Sequence, residues 1–152
     1  MASRPGRVIR CMSVEFCDTN ILVYAYDTTA GAKREQARAL VERLWSAECG
    51  AVSIQVLQEL FVTLTRKIGL PLDAHVARHI VADLATWRVV EPTAADVLAA
   101  IDGTARWHLS LWDAMIVTTA QRAGADVLWS EDLNDGQTLD GLTVRNPLHA
   151  GQ

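Results

Sequence analysis

From Ser13 onward the chain alternates short runs rich in β-branched and aromatic residues with longer stretches of helical period, and this alternation constrains the fold more than any other feature. Strands separated by helices return to the same edge of a sheet, so they pair in parallel and are covered by the helices that connect them. The strand-like runs are residues 13–17, 51–53, 88–90, 126–129 and 143–145. Helices are expected to begin after Asp18, near Gly31, after Ser53, near Leu72, after Thr93 and after Ser110, with Gly50, Gly69 and Gly124 as stop signals. The expected class is α/β, with a central, mostly parallel sheet flanked by helices. Residues 1–12 hold Pro5, Gly6 and three arginines without a clean period, and are expected to form a loose extension to a single domain over residues 13–148.

Charge and cysteine content narrow the function classes. The formal net charge of −4 excludes holding nucleic acid by bulk electrostatics, so any contact with RNA must be local. Cys11, Cys17 and Cys49 form no C-x-x-C pair and fit neither a disulfide framework nor a zinc knuckle, which favours a reducing cytoplasm. The apolar stretch after Arg4 and Arg7 is broken by Arg10, Ser13 and Glu15 before it reaches signal-peptide length, and no run approaches the roughly 20 apolar residues of a membrane span. A soluble, cytoplasmic protein is expected.

In open α/β sheets, sites form in the crevice beyond the carboxyl ends of the strands. Asp18 directly follows the first strand, and Asp132 stands just beyond the run that ends at Trp129. Each has a structural reading as well, Asp18 as a helix N-cap and Asp132 as a turn acid beside Glu131, Asn134 and Asp135. Asp113 stands three residues after Ser110, the spacing of a capping box with Asp in place of Glu. On a helical wheel Val56, Leu57, Leu60, Phe61 and Leu64 share one face, and Glu59 lies about 60° past Val56, at the border of the core. If the four acids converge, like charges packed together call for a cation, and an all-oxygen donor set suits Mg²⁺ or Mn²⁺. Such a site suits phosphodiester hydrolysis.

The segments Asp18-Thr19-Asn20-Ile21-Leu22-Val23-Tyr24-Ala25, Ser53-Ile54-Gln55-Val56-Leu57-Gln58-Glu59, Leu111-Trp112-Asp113-Ala114 and Ser130-Glu131-Asp132-Leu133, taken in order, resemble the PIN-domain nucleases, most closely the VapC-type toxins of bacterial toxin-antitoxin pairs. The resemblance runs from about Ser13 to Pro147. It implies a PIN-like three-layer fold and endonucleolytic cleavage of RNA. By the same resemblance Asp18, Glu59, Asp113 and Asp132 form the catalytic, metal-binding quartet, and Asn20 and Ser130 are polar supports. Many members carry a further acid two positions after the fourth carboxylate, where this chain has Asn134; either Asp135 substitutes or a second metal binds more weakly. The implied partners are RNA, a cognate antitoxin lying in a groove beside the carboxylates, and a second copy in a homodimer. The first helix, apolar almost all round from Ile21 to Tyr26, is equally consistent with burial in its own domain and with a partner surface.

Other signals read as structural. His75, His79 and Asp83 share a helical face and could mimic a zinc site, but Val76, Ile80 and Leu84 are expected to face the core and leave a solvated polar stripe. Lys33, Arg34 and Arg38, and separately Arg66 and Lys67, are candidate phosphate contacts, with a solvated helix face as the plainer reading. Of the five tryptophans only Trp112, beside Asp113, is placed to meet a base. No nucleotide-binding loop and no nucleophile elbow is present. The competing functions are a magnesium-dependent phosphatase or phosphotransferase using Asp18 as nucleophile, and a non-catalytic module that keeps the fold.

Overall fold

The computed structural model describes residues 13–148, so the expected extension over residues 1–12 lies outside the described residues. The elements are β1 (Val14–Cys17), α1 (Thr19–Tyr26), α2 (Ala32–Ala47), β2 (Gly50–Ser53), α3 (Ile54–Arg66), α4 (Ala74–Leu84), β3 (Arg88–Val90), α5 (Ala94–Trp107), α6 (Leu111–Arg122), β4 (Ala125–Trp129), β5 (Thr138–Leu139) and β6 (Leu142–Arg145). They form one six-stranded sheet in the order β3-β2-β1-β4-β6-β5. Every pairing is parallel except that of β5 with β6. The chain steps outward from β1 to β3, then returns past β1 to β4. Because parallel crossovers are right-handed, this reversal places α1 to α4 on one face and α5 and α6 on the other, the expected three layers.

Local chemistry sets the helix starts. Ser53 accepts the Val56 N–H at 3.2 Å, Asp73 that of His75 at 2.8 Å and Ser110 that of Asp113 at 3.2 Å, each satisfying an orphan donor of the first turn. Thr93 and Asp96 close a reciprocal capping box. From Ala114 to Ala120 every residue of α6 is buried, as a helix between the sheet and α5 requires. Ile21 and Leu22 of α1 are fully buried, and α1 packs on α2 and α3. Most of its apolar circumference is covered by its own domain, with Tyr24 and Tyr26 left partly exposed.

Several expectations need correction. Gly50 does not stop a helix: α2 ends at Ala47 with Glu48 in the left-handed conformation, and Gly50 is the first residue of β2. Its role is close approach, since a Cβ there would lie 2.4 Å from the Trp87 ring. β1 starts at Val14 rather than Ser13, β4 at Ala125 and β6 at Leu142. The short strand β5 was not expected at all; Asp140 and Gly141, both at positive φ, turn the chain back so that Thr138 and Leu139 pair with β6. Phe61 is 37% exposed instead of sharing the core face of α3, and Val76 of α4 is exposed while Ala77 is buried.

Glu15 is a buried charge that the sequence pattern did not reveal. Its carboxylate accepts from the Arg43 guanidinium at 2.9 and 3.1 Å, from Trp129 Nε1 at 2.9 Å and from Cys49 Sγ at 3.5 Å. Burial pushes its pKa up, but the Arg43 and Trp129 bonds outweigh burial and hold it below the usual value. The network ties α2 to β1 and β4. No helix among the described residues is long and apolar enough to cross a membrane.

Candidate active site

Strand order reverses between β1 and β4, and the crevice at their carboxyl ends is where ligands bind in sheets of this kind. Cys17 pairs with Trp129 at these ends, so the next residues, Asp18 and Ser130, leave the sheet side by side. The Asp18 N–H donates to the Trp129 carbonyl at 2.9 Å, and the Ser130 N–H to the Arg145 carbonyl at 3.0 Å, which fixes both backbones. Asp18 is only 5% exposed. Its Oδ1 accepts the Thr19 N–H at 2.7 Å, and its Oδ2 accepts the Ser130 hydroxyl at 2.8 Å. Burial drives its pKa up to about 6 despite those two bonds, and the negative charges of Asp132 and Asp113 add to the rise.

Asn20 joins Asp18 to Asp132. Its Nδ2 donates to Asp132 Oδ2 at 2.8 Å and lies 3.5 Å from Asp18 Oδ2, while its Oδ1 accepts the Glu131 N–H at 3.2 Å. Ser130 Oγ also accepts the Asp132 N–H at 3.2 Å. These contacts hold the exposed Asp132 over the crevice. Glu59, half-buried on α3, is reached from α1: Thr19 Oγ1 donates to its Oε2 at 2.7 Å. Its Oε1 accepts from Gln55 Nε2 at 3.0 Å, and Gln55 also points toward the Trp112 carbonyl, 3.5 Å away. Asp113, one residue on, has its pKa raised by burial first, then by the charges of Asp132 and Glu59, with the Ser110 hydroxyl opposing.

The four expected acids thus share one electrostatic neighbourhood, linked through Thr19, Asn20, Gln55 and Ser130. Among the described residues no three carboxylate, histidine or cysteine side chains form a ready-made cation cage. The acids are instead engaged by protein donors. Asp135 stands apart from these bonds: it accepts the Asn146 N–H at 3.0 Å and braces the loop before β5. Trp112 is 65% exposed beside Asp113. His75 and His79 meet each other at 3.3 Å. Thr19 and Gln55 were missed from sequence, although Gln55 stands four residues before Glu59, the spacing of helix neighbours.

At the rim, Lys33 of α2 bonds Glu131 at 2.7 Å and lies over the Tyr24 ring at 4.9 Å from its centre. The basic stripe of α2 therefore begins one residue from the acid cluster, through the Glu131 amide held by Asn20.

Comparison with solved structures shows what this arrangement is similar to. A toxin-antitoxin complex from Klebsiella pneumoniae matches with a TM-score of 0.65 at 24% identity, over 90% of this chain and 98% of the other. A DNA-bound VapBC from Salmonella typhimurium matches with a TM-score of 0.64 at 19% identity, over 90% of this chain and all 100% of the other. VapC20 of Mycobacterium tuberculosis, described as a sarcin-ricin loop cleaving toxin, matches with a TM-score of 0.58 at 23% identity, over 75% of this chain and 86% of the other. No curated protein sequence matches. The family model described as the PIN domain matches residues 16–134, well over half of the sequence, and the chain belongs to the PIN domain family.

Proposed function

We propose that this chain is a metal-dependent endoribonuclease, the toxin of a bacterial toxin-antitoxin pair, with Asp18, Glu59, Asp113 and Asp132 as its metal-binding and catalytic carboxylates. The observation that supports this most is the meeting of four acids from the end of β1, α3, α6 and the segment after β4 at the switch point of the sheet, with Asp18 buried as it is. Their all-oxygen chemistry fits Mg²⁺ or Mn²⁺; burial chiefly raises the pKa of Asp18 and Asp113, and the neighbouring negative charges that add to the rise are what a divalent cation would offset. When bound, such a cation supplies a water of lowered pKa and neutralises charge at the phosphate.

The chain's own residues do the positioning. Ser130 and the Thr19 N–H hold Asp18 in one rotamer, Asn20 holds Asp132 beside it, and Thr19 and Gln55 aim Glu59 into the crevice. The RNA substrate approaches over exposed Trp112 and the Lys33 rim. A cognate antitoxin and a second copy are the protein partners, with the exposed apolar side chains Val97, Leu98 and Ile101 of α5 as surface for one of them. The setting is the cytoplasm. A phosphotransferase using Asp18 as nucleophile is disfavoured, because both oxygens of that buried carboxylate are engaged and Lys33 is paired with Glu131. The test is cleavage of RNA by purified protein with Mg²⁺ or Mn²⁺ and its loss in EDTA; undiminished cleavage in excess EDTA refutes the metal site.

A further inference from the structure

Between the end of α1 and the outer side of α2 lies a cavity of about 300 Å³ whose lining includes Tyr26, Arg34, Arg38, Val41, Glu42 and Trp45. On α2 these positions recur at helical spacing and make one stripe, about 16 Å long from Arg34 to Trp45. The protein engages the two arginines only loosely. Arg34 Nε is shielded from solvent without a hydrogen-bond partner, and Arg38 approaches Glu42 only at 3.9 Å, beyond hydrogen-bond reach. A shielded donor left unpaired is costly, and an arginine fork is matched to phosphate oxygens. Trp45 is half exposed and fixed edge-on against Trp87 at 5.4 Å, which makes it a rigid apolar platform.

We infer that this cavity is a nucleotide subsite for single-stranded RNA flanking the cleaved bond, with Arg34 and Arg38 on the phosphate, Trp45 and Tyr26 against the base and Glu42 accepting from an exocyclic amino group. The inference rests on the nuclease reading. Aromatic faces beside arginines are the usual means of holding unstacked bases, and a carboxylate within the same cavity selects a base that carries an amino donor over a bare anion. The stripe also leads to the right place. Lys33, next to Arg34, bonds Glu131, whose amide is held by the same Asn20 that holds Asp132. Lys33 thus links the N-terminal end of α2, where the stripe begins, to the segment that carries Asp132. In a chain of net charge −4, this local stripe is the kind of contact that RNA binding demands.

The experiment is binding of a fluorescently labelled, mixed-sequence single-stranded RNA oligonucleotide to the full chain in EDTA, read by anisotropy, beside cleavage of the same RNA with Mg²⁺. Arg38→Glu and Trp45→Ala should each weaken binding by about tenfold or more, Arg38→Lys should restore most of it, and adenosine monophosphate should shift the Trp45 indole N–H resonance. Trp45 packs on Trp87, so Trp45→Ala is read only if its melt is cooperative; Arg38 is exposed, and its variants stand independently. Wild-type affinity in the folded variants, or no RNA binding by wild type, overturns the subsite. So does a variant that binds RNA normally but no longer binds a co-purified protein partner, since the cavity would then be a protein site. A wild type that binds RNA through Trp45 and never cleaves it overturns the nuclease reading and leaves the subsite standing.

Discussion

Asp18→Asn separates a carboxylate that serves as a helix cap from one that serves a cation. Asparagine caps a helix about as well as aspartate, and its oxygen can still accept the Thr19 N–H now made to Oδ1 at 2.7 Å. The charge is what changes. In the folded metal-free protein the Asp18 carboxyl is the weaker acid, raised from 3.8 to about 6, so folding opposes its ionisation. This group's contribution to stability, about 3 kcal/mol, is fully present below about pH 4 and is lost as pH rises through about 6. The substitution removes that opposition but exchanges the bond that the Ser130 hydroxyl donates to a charged oxygen, at 2.8 Å, for one that the new amide N–H donates to the hydroxyl oxygen, costing about 1 kcal/mol. It also sets an amide nitrogen near Asn20 Nδ2, 3.5 Å from the present Oδ2.

The net expectation for metal-free protein at pH 8 is a gain of about 1–2 kcal/mol, or about 3–6 °C in Tm for a domain of this size. The gain should shrink toward zero or reverse near pH 4. With Mg²⁺ present, RNA cleavage should fall by about a hundredfold or more, beyond what loss of an outer support to a metal site costs. The assays are thermal melts in EDTA from pH 4 to 8 beside cleavage of a labelled RNA. A variant less stable than wild type at pH 8 refutes the electrostatic reasoning, and one that cleaves at the wild-type rate removes Asp18 from the site.

Asn20→Ala should leave Tm within a few degrees but lower metal affinity or cleavage by about 10–100-fold, because it frees Asp132 without touching the core; isothermal titration with Mn²⁺ checks it. Gly50→Ala should cost about 1–3 kcal/mol, since its Cβ would meet the Trp87 ring at 2.4 Å, and urea unfolding measures the loss. Glu15→Gln should cost about 1–3 kcal/mol at neutral pH by exchanging the charged acceptor of two Arg43 bonds for a neutral amide. As the folded Glu15 is the stronger acid, its contribution is present above about pH 4.5 and is lost as pH falls below that, so wild type and variant should converge in acid melts.

What the sequence could show was set by how local each cause is. β1 and β2 were visible because a parallel strand buried on both faces is a short run with few polar residues, and the helices because their caps are single residues such as Ser53, Ser110 and Thr93. β5 has two residues and no period to read, yet the Asp140-Gly141 turn that creates it was a readable hairpin signal. Phe61 and Val76 departed from their wheels because α3 and α4 bury narrower stripes than a regular pattern assigns. Asp18 and Asp132 were legible as candidate site residues because the end of a strand fixes where the next residue stands. Glu59 was harder. It lies one and a half turns into α3, and only the Thr19 hydroxyl, from a helix across the crevice, brings it to the same place. That contact depends on β1 and β2 being neighbours in the sheet, which no spacing between residues 19 and 59 encodes. The same logic separates Asp135 from the quartet: it follows Asp132 closely in sequence, but the turn leading to β5 aims its carboxylate at the Asn146 amide. Nearness along the chain placed it in the expected site; the hairpin takes it out.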